Sequence, residues 1–182
     1  MKKNNITLLP YTEVDGIRTA ADSDIKRLFA RTVEDGSDKI VFYEGTIKTV
    51  CDFLAMAKSG NVLFYIVLIG VDTVGYVWVN RLENKTAHFH FCSFKEYWGK
   101  NEEMGRHILT TILGWKNKEG RYMLDLLIGY IPAWNKRAIA FSLKCGGKSA
   151  GTIPNAIWNG ETQKSEDAVF IYYTRGHDDL PG

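Results

Sequence analysis

The sequence has few cysteines, almost no net charge and no long apolar segment. Its three cysteines, Cys51, Cys92 and Cys145, are an odd number without the spacing of a disulfide framework, which predicts free thiols in a reducing cytosol. With 23 basic and 21 acidic residues the net charge is +2, so nothing in the charge predicts a nucleic-acid partner. The longest apolar run, residues 62–71, is about half of the ~20 residues that a membrane helix needs. We therefore expect a cytoplasmic protein without a membrane partner.

Several common catalytic signatures are also missing. The sequence contains no Gly-x-Gly-x-x-Gly, Walker, Gly-x-Ser-x-Gly or His-Glu-x-x-His motif, so dinucleotide, nucleoside triphosphate, esterase and zinc-protease chemistry have no motif behind them. Repeats, linkers and low-complexity segments are absent as well. The length of 182 residues and the apolar fraction of 45% predict a single domain over residues 1–182, with residues 176–182 as a frayed tail.

Hydrophobic periodicity predicts the element order β, α, α, β, β, β, α, β, α, β, β. The first helix is expected to bury Ile25, Leu28, Phe29 and Thr32, and the second is expected to start at Thr46. The central part is a strand over residues 86–94, a loop, and a helix capped by Asn101. The apolar stripe of that helix is Met104, Ile108, Ile112 and Trp115. A second strand over residues 121–130 is expected to lie parallel to the first, because such crossovers are right-handed. A helix from Trp134 or Asn135 to Cys145 follows it. This order predicts an α/β fold with a mixed central sheet of about seven strands and helices on both faces.

Three blocks, VGYVWVN at Val74–Asn80, EYWGK at Glu96–Lys100 and PAWNKRAIAFSLKCGG at Pro132–Gly147, resemble the GNAT superfamily of acetyl-CoA-dependent N-acetyltransferases. Within this superfamily, the sequence most resembles the branch of ribosomal-protein N-terminal acetyltransferases. The resemblance implies a single GNAT-type domain that binds acetyl-CoA, with Asn135 at the pantetheine arm. It also implies that the strand residues Phe91 and Ser93 belong to the cofactor site, where backbone N–H groups of the strand polarise the thioester carbonyl.

The pyrophosphate loop departs from the family pattern. Gly99 and Lys100 keep the look of the loop, whereas Asn101 and Glu103 stand where the family has small residues that let backbone N–H groups approach phosphate. Two carboxylates, Glu102 and Glu103, lie where the pyrophosphate is expected. At ~4 Å and an effective dielectric of ~20, each would repel a phosphate charge by about 4 kcal/mol before screening. The resemblance assigns four residues of this region to cofactor binding, Gly99, Lys100, Asn101 and Arg106. The cations of Lys95, Lys100 and Arg106 are expected to offset part of the repulsion.

Candidates for acid–base chemistry lie on the central strand and on the last helix. His90 or His88 is suited to deprotonate an amine, because an imidazole titrates near neutral pH; Glu96 is an alternative base. Ser142 stands where many relatives have a Tyr that protonates the leaving thiolate. His88, His90 and Cys92 share one strand face and would form a zinc site if His107 or Cys145 joined them, but we expect no metal.

Two functions stay open. One is an N-acetyltransferase that moves acetyl from acetyl-CoA to a primary amine of a small molecule or a protein. The other is a catalytically silent GNAT-fold protein that binds a protein partner as an assembly factor, including in the head of a bacteriophage. Trp98 and Trp134 flank the loops that follow the two parallel strands, where either could line a ligand groove or a protein interface.

Overall fold

The computed structural model describes residues 5–98 and 102–175. Nine strands, five α-helices and one 3₁₀ turn lie within these residues. In chain order they are β1 (Ile6–Pro10), β2 (Glu13–Val14), β3 (Ile17–Arg18), α1 (Asp22–Glu34), α2 (Asp38–Val41), α3 (Val50–Ala57), β4 (Val62–Ile69), β5 (Asp72–Glu83), β6 (Thr86–Ser93), the 3₁₀ turn (Lys95–Tyr97), α4 (Glu102–Leu113), β7 (Leu126–Pro132), α5 (Lys136–Lys144), β8 (Lys148–Asn159) and β9 (Lys164–Thr174).

Seven of the strands form one mixed sheet in the order β1-β4-β5-β6-β7-β9-β8. The pairs β1–β4, β4–β5 and β7–β9 are antiparallel, and β6 with β7 is parallel, as predicted. This arrangement confirms the predicted α/β fold class with a mixed seven-stranded sheet. The short strands β2 and β3 form a separate two-stranded hairpin, which the sequence analysis did not predict.

Several predicted boundaries were wrong. The strand expected at residues 121–130 is β7, Leu126–Pro132, and the residues before it are irregular except for an isolated bridge from Lys116 to Tyr122. The second helix was expected from Thr46, but α3 begins after Thr49, whose side chain accepts a hydrogen bond from the backbone of Asp52. That cap satisfies an N–H group left free at a helix start. The predicted cap at Asn101 and the predicted tail at 176–182 lie outside the described residues.

The chain groups into two compact units. Within the described residues, the first unit comprises residues 5–80, 90–98 and 158–165, and the second comprises residues 81–89, 102–157 and 166–175. The strands β5, β6, β8 and β9 each contribute residues to both units.

The first unit is built around a cluster of aromatic rings. Phe53 of α3 is fully buried, and its ring lies 5.2 Å from Tyr76 and 5.6 Å from Phe64. The buried hydroxyl of Tyr76 is 3.0 Å from the hydroxyl of Thr32 on α1, so this polar group is satisfied, as burial requires. Helix α1 contributes the predicted apolar positions Ile25, Leu28, Phe29 and Thr32, all of them buried.

In the second unit α4 and α5 approach each other closely. The predicted stripe of α4, Met104, Ile108 and Ile112, is buried, whereas Trp115 lies beyond the end of the helix. Gly105 faces α5: an added Cβ would lie 2.4 Å from the Cys145 sulfur and 2.8 Å from the Phe141 ring. A larger residue at this position would therefore force the Cys145 and Phe141 side chains to shift in a closely packed interior.

Candidate functional site

His90 on β6 is held by two residues of the neighbouring strand β5. Its ring stacks on Trp78 with a centroid distance of 4.6 Å and an interplanar angle of 3°. Its Nε2 lies 3.2 Å from Oδ1 of Asn80. Trp78 and Asn80 are two residues apart on β5, so strand alternation places both side chains on one face. His90 was predicted as a base from the sequence, whereas Asn80 was missed; its signal is this period-2 spacing from Trp78.

His88 lies in a different environment in the second unit. It is half-buried, and its ring centroid is 5.8 Å from that of Tyr130 on β7. Burial, followed by the positive charge of Arg81, lowers the pKa of His88. A lowered pKa keeps the imidazole neutral near neutral pH, which is the protonation state that a general base needs.

His88, His90 and Cys92 were considered from the sequence as zinc ligands that would need a fourth partner. Cys92 is buried in the first unit, and burial raises the pKa of its thiol to about 11, which disfavours the thiolate that binds metal. Within residues 5–98 and 102–175, no group of three or more His, Cys, Asp or Glu side chains is arranged to hold a metal ion.

The other base candidate, Glu96, is engaged in an ion pair. Its carboxylate pairs with Arg31 of α1, and the Arg31 guanidinium also lies 4.0 Å from the Phe94 ring centroid. In the same segment, the Trp98 indole donates a hydrogen bond of 2.9 Å to the carbonyl of Ser93. The roles predicted for the backbone of Phe91 and Ser93 stay predictions.

The first turn of α4 contains the acidic pair Glu102 and Glu103, both exposed. Glu102 pairs with Arg106 one turn later at 2.8 Å. Arg106 also donates to the carbonyl of Lys144, at the C-terminus of α5, at 2.5 Å. The predicted cofactor cation is thus bound to two protein acceptors. Gly99, Lys100 and Asn101, the other predicted members of the loop, lie outside the described residues.

Asn135 is the N-cap of α5. Its Oδ1 accepts a hydrogen bond of 3.1 Å from the backbone N–H of Ala138, which satisfies one of the free N–H groups at the helix start. The carbonyl of the amide is therefore used by the helix, and a role for this residue at the pantetheine arm would fall to its NH₂ group.

Ser142 on α5 is 9% exposed. It hydrogen-bonds the phenol of Tyr173 on β9, and burial raises the pKa of that phenol to about 12 while the bond to Ser142 lowers it. Ser142 was predicted from the sequence, whereas Tyr173 was missed. Its only sequence signal is the alternation of β9, which places Tyr173 on the same face as the buried Ile171.

The elements that carry these residues form a β6–α4–β7–α5 succession. The parallel register joins Thr86 with Leu126, Ala87 with Leu127 and His88 with Ile128, and β7 pairs with β9 along its whole length, from Leu126 to Pro132. A helix follows each of the two parallel strands in the chain. No helix in the described part of the chain is long and apolar enough to cross a membrane.

Three solved acetyltransferases have a similar fold. The microcin C7 self-immunity acetyltransferase MccE, in complex with acetyl-CoA and AMP, has a TM-score of 0.67 at 18% identity, over 93% of this chain and 92% of that one. The spermidine N-acetyltransferase of Vibrio cholerae, in complex with CoA and spermine, has a TM-score of 0.63 at 15% identity, over 93% and 95%. The ribosomal L7/L12 α-N-protein acetyltransferase RimL has a TM-score of 0.70 at 11% identity, over 93% and 94%.

The chain therefore has the GNAT acetyltransferase fold, as the sequence resemblance predicts. No protein-family model and no curated protein matches the sequence.

Proposed function

We propose that this protein is an N-acyltransferase that moves an acetyl group from acetyl-CoA to a primary amine. The amine nitrogen attacks the thioester carbonyl, the new C–N bond forms, the C–S bond breaks, and the CoA thiolate takes up a proton as the amine loses one. The observation that carries the proposal is the β6–α4–β7–α5 succession with its parallel register. Neighbours with this fold have been solved with acetyl-CoA or CoA, and their names give spermidine or a protein N-terminus as acceptor.

His90 is the proposed base, with His88 as the alternative. The stack on Trp78 and the contact with Asn80 fix the ring of His90, and a fixed ring orientation is what a base needs to meet the attacking amine. The proposed proton donor to the thiolate is Ser142, linked to Tyr173. Because Ser142 is buried, its proton would have to travel through a water molecule or through the phenol.

Acetyl-CoA would be held by the NH₂ group of Asn135, by Arg106 and by backbone N–H groups near Phe91, Ser93 and residues 99–101. For Arg106 to bind phosphate, it would have to leave Glu102 or the Lys144 carbonyl. Exposed ion pairs contribute roughly 0–1 kcal/mol, so a dianionic pyrophosphate can outcompete Glu102.

A direct test is a thermal-shift and calorimetric titration with acetyl-CoA and with CoA. A ligand at 100 times its dissociation constant stabilises the folded state by about 2.7 kcal/mol, so a clear rise in melting temperature is expected. Mass spectrometry of amines incubated with acetyl-CoA then identifies the acetylated product. The absence of any shift at millimolar cofactor would refute the proposal.

The acidic first turn of α4 favours a second candidate, a GNAT-fold protein that no longer binds CoA and acts through a protein partner. Glu103→Gln removes one carboxylate without touching the Glu102–Arg106 pair. If acetyl-CoA binds, this variant should bind it several-fold more tightly, because one repulsion is removed. If neither form binds, the silent candidate stands. A bacteriophage head-assembly role stays a prediction from the sequence alone.

A further inference from the structure

One face of β7 and β9 in the second unit carries a row of aromatic side chains. Tyr130 lies opposite Phe170, and Ile128 lies opposite Tyr172; directly opposed residues of antiparallel strands point to the same face. The other face holds the fully buried Leu127 and Ile171. By contrast, Tyr130 is 37% exposed, and Phe170 and Tyr172 are only half-buried. The aromatic side chains of this face are therefore accessible in part.

We use the name aromatic row for His88, Tyr130, Phe170 and Tyr172. The ring centroids follow one another at 5.8 Å from His88 to Tyr130, 5.2 Å from Tyr130 to Phe170 and 6.5 Å from Phe170 to Tyr172. These are contact distances for aromatic pairs. The rings thus form a continuous surface that crosses three strands.

Side chains of opposite charge flank the aromatic row. Glu166 shares its face and stands four residues before Phe170 on β9, on the side away from Tyr172. Its carboxylate accepts a hydrogen bond of 2.7 Å from the indole of Trp134, which is 45% exposed and immediately precedes Asn135. On the side of His88, Arg81 belongs to β5, the strand next to β6 in the sheet, and its positive charge acts on the His88 imidazole.

We propose that the aromatic row is the acceptor platform of the proposed acetyltransferase and takes a primary amine with one positive charge and an apolar body. The ammonium lies at Glu166 and Trp134, and the far end of the acceptor points toward Arg81. This inference rests on the proposed function. Ring faces and a carboxylate attract an ammonium ion, and the Glu166 end lies next to the α5 cap at Asn135.

Arg81 determines which amines fit. It repels a second cation at the far end of the acceptor and attracts an anion there. An amine with a neutral or carboxylate-bearing far end, such as the N-terminus of a peptide, is therefore preferred over a diamine of the same length.

Four six-carbon probes test this order: 6-aminohexanoate, hexylamine, 1,6-diaminohexane and hexanol. Each is titrated into the full chain without acetyl-CoA, and binding is followed by NMR of the aromatic side chains. We expect 6-aminohexanoate to bind roughly threefold or more tightly than 1,6-diaminohexane, and hexylamine roughly two- to fivefold more tightly than hexanol. Equal binding of hexylamine and hexanol, or tighter binding of the diamine, would overturn the inference.

Single-residue variants test whether the binding preferences arise at the aromatic row. Tyr130→Leu keeps an apolar side chain but removes the ring, and it should weaken the three amines more than hexanol. Arg81→Gln should bring the ratio between 6-aminohexanoate and 1,6-diaminohexane close to one. Trp158→Leu, which changes a 47% exposed aromatic of the other unit, is the matched control and should leave all four affinities unchanged. Unchanged affinities in Tyr130→Leu would also overturn the inference.

The same amines are then offered as acceptors with acetyl-CoA. Turnover that does not follow the predicted order refutes the aromatic row as acceptor platform and leaves the acetyltransferase proposal intact. Cofactor binding without turnover of any amine, protein N-termini included, refutes the proposed function and with it the acceptor role.

Discussion

Gly105 is expected to be the residue of α4 that least tolerates a larger side chain. In Gly105→Ala the new Cβ would lie 2.4 Å from the Cys145 sulfur and 2.8 Å from the Phe141 ring, both well inside van der Waals contact. Overpacking of this kind costs about 1–3 kcal/mol. Alanine in a helix interior is more favourable than glycine by up to ~1 kcal/mol. We therefore expect a net destabilisation of about 1–2 kcal/mol.

Urea unfolding followed by circular dichroism measures this change, with the slope of the transition unaltered. Gly60→Ala is the matched control, because an added Cβ there meets nothing within 4 Å and its stability should stay within about 0.5 kcal/mol of wild type. Removal of the sulfur in Gly105→Ala/Cys145→Ala should recover at least ~1 kcal/mol relative to the sum of the single changes. A stable Gly105→Ala, or a double variant that merely adds, would refute the close approach of α4 and α5.

Three further predictions concern the candidate site. Asn135→Ser keeps the cap acceptor and should stay within about 0.5 kcal/mol of wild-type stability, whereas Asn135→Ala should lose about 1 kcal/mol. If the amide NH₂ binds acetyl-CoA, calorimetry will show the same loss of acetyl-CoA affinity in both variants. Full affinity in Asn135→Ser would remove Asn135 from the cofactor site. The pKa of His88 is lowered in the folded state, so below the ordinary histidine pKa of ~6.5 the unfolded chain binds more protons than the folded one. The free energy of unfolding should therefore fall as the pH drops below that value. Urea unfolding at pH 5 to 7 should show a weaker pH dependence of stability in His88→Gln. Asn80→Ala should shift the ¹⁵N resonances of the His90 ring, and His90→Ala should lower turnover while acetyl-CoA affinity stays constant; unchanged turnover would make His88 the better candidate for the base.

Long periodic segments were predictable because one physical signal dominates them. The stripe of α4 and the apolar positions of α1 are buried as their spacing requires. The parallel pairing of β6 with β7 was predicted from the right-handed crossover through α4 that joins them. The hairpin β2–β3 and the one-turn helix α2 were missed, because strands of two residues and a helix of four give no measurable period. The hairpin is formed by its turn at Asp15–Gly16, where φ is positive at both residues.

The start of β7 shows why an apolar run does not fix a strand boundary. The run 121–130 was expected to be one strand, yet pairing begins at Leu126. Before it, the cation of Lys116 lies over the Tyr122 ring and Asp125 pairs with Lys85 and Arg175. These tertiary contacts hold the chain in a non-strand path, and tertiary context routinely overrides local propensity.

Arg106 shows the same limit for function. Its position in the chain resembles that of a basic residue that binds the cofactor, and its guanidinium would attract a pyrophosphate. The fold, however, brings the C-terminus of α5 within 2.5 Å of this guanidinium and leaves Glu102 one turn away on α4. Arg106 can bind a ligand only if it gives up its ion pair with Glu102 or its hydrogen bond to the Lys144 carbonyl. Binding therefore depends on the competition among Glu102, the Lys144 carbonyl and phosphate for Arg106. An acetyl-CoA titration of Glu102→Gln, which removes one of the two protein acceptors, measures one side of that competition.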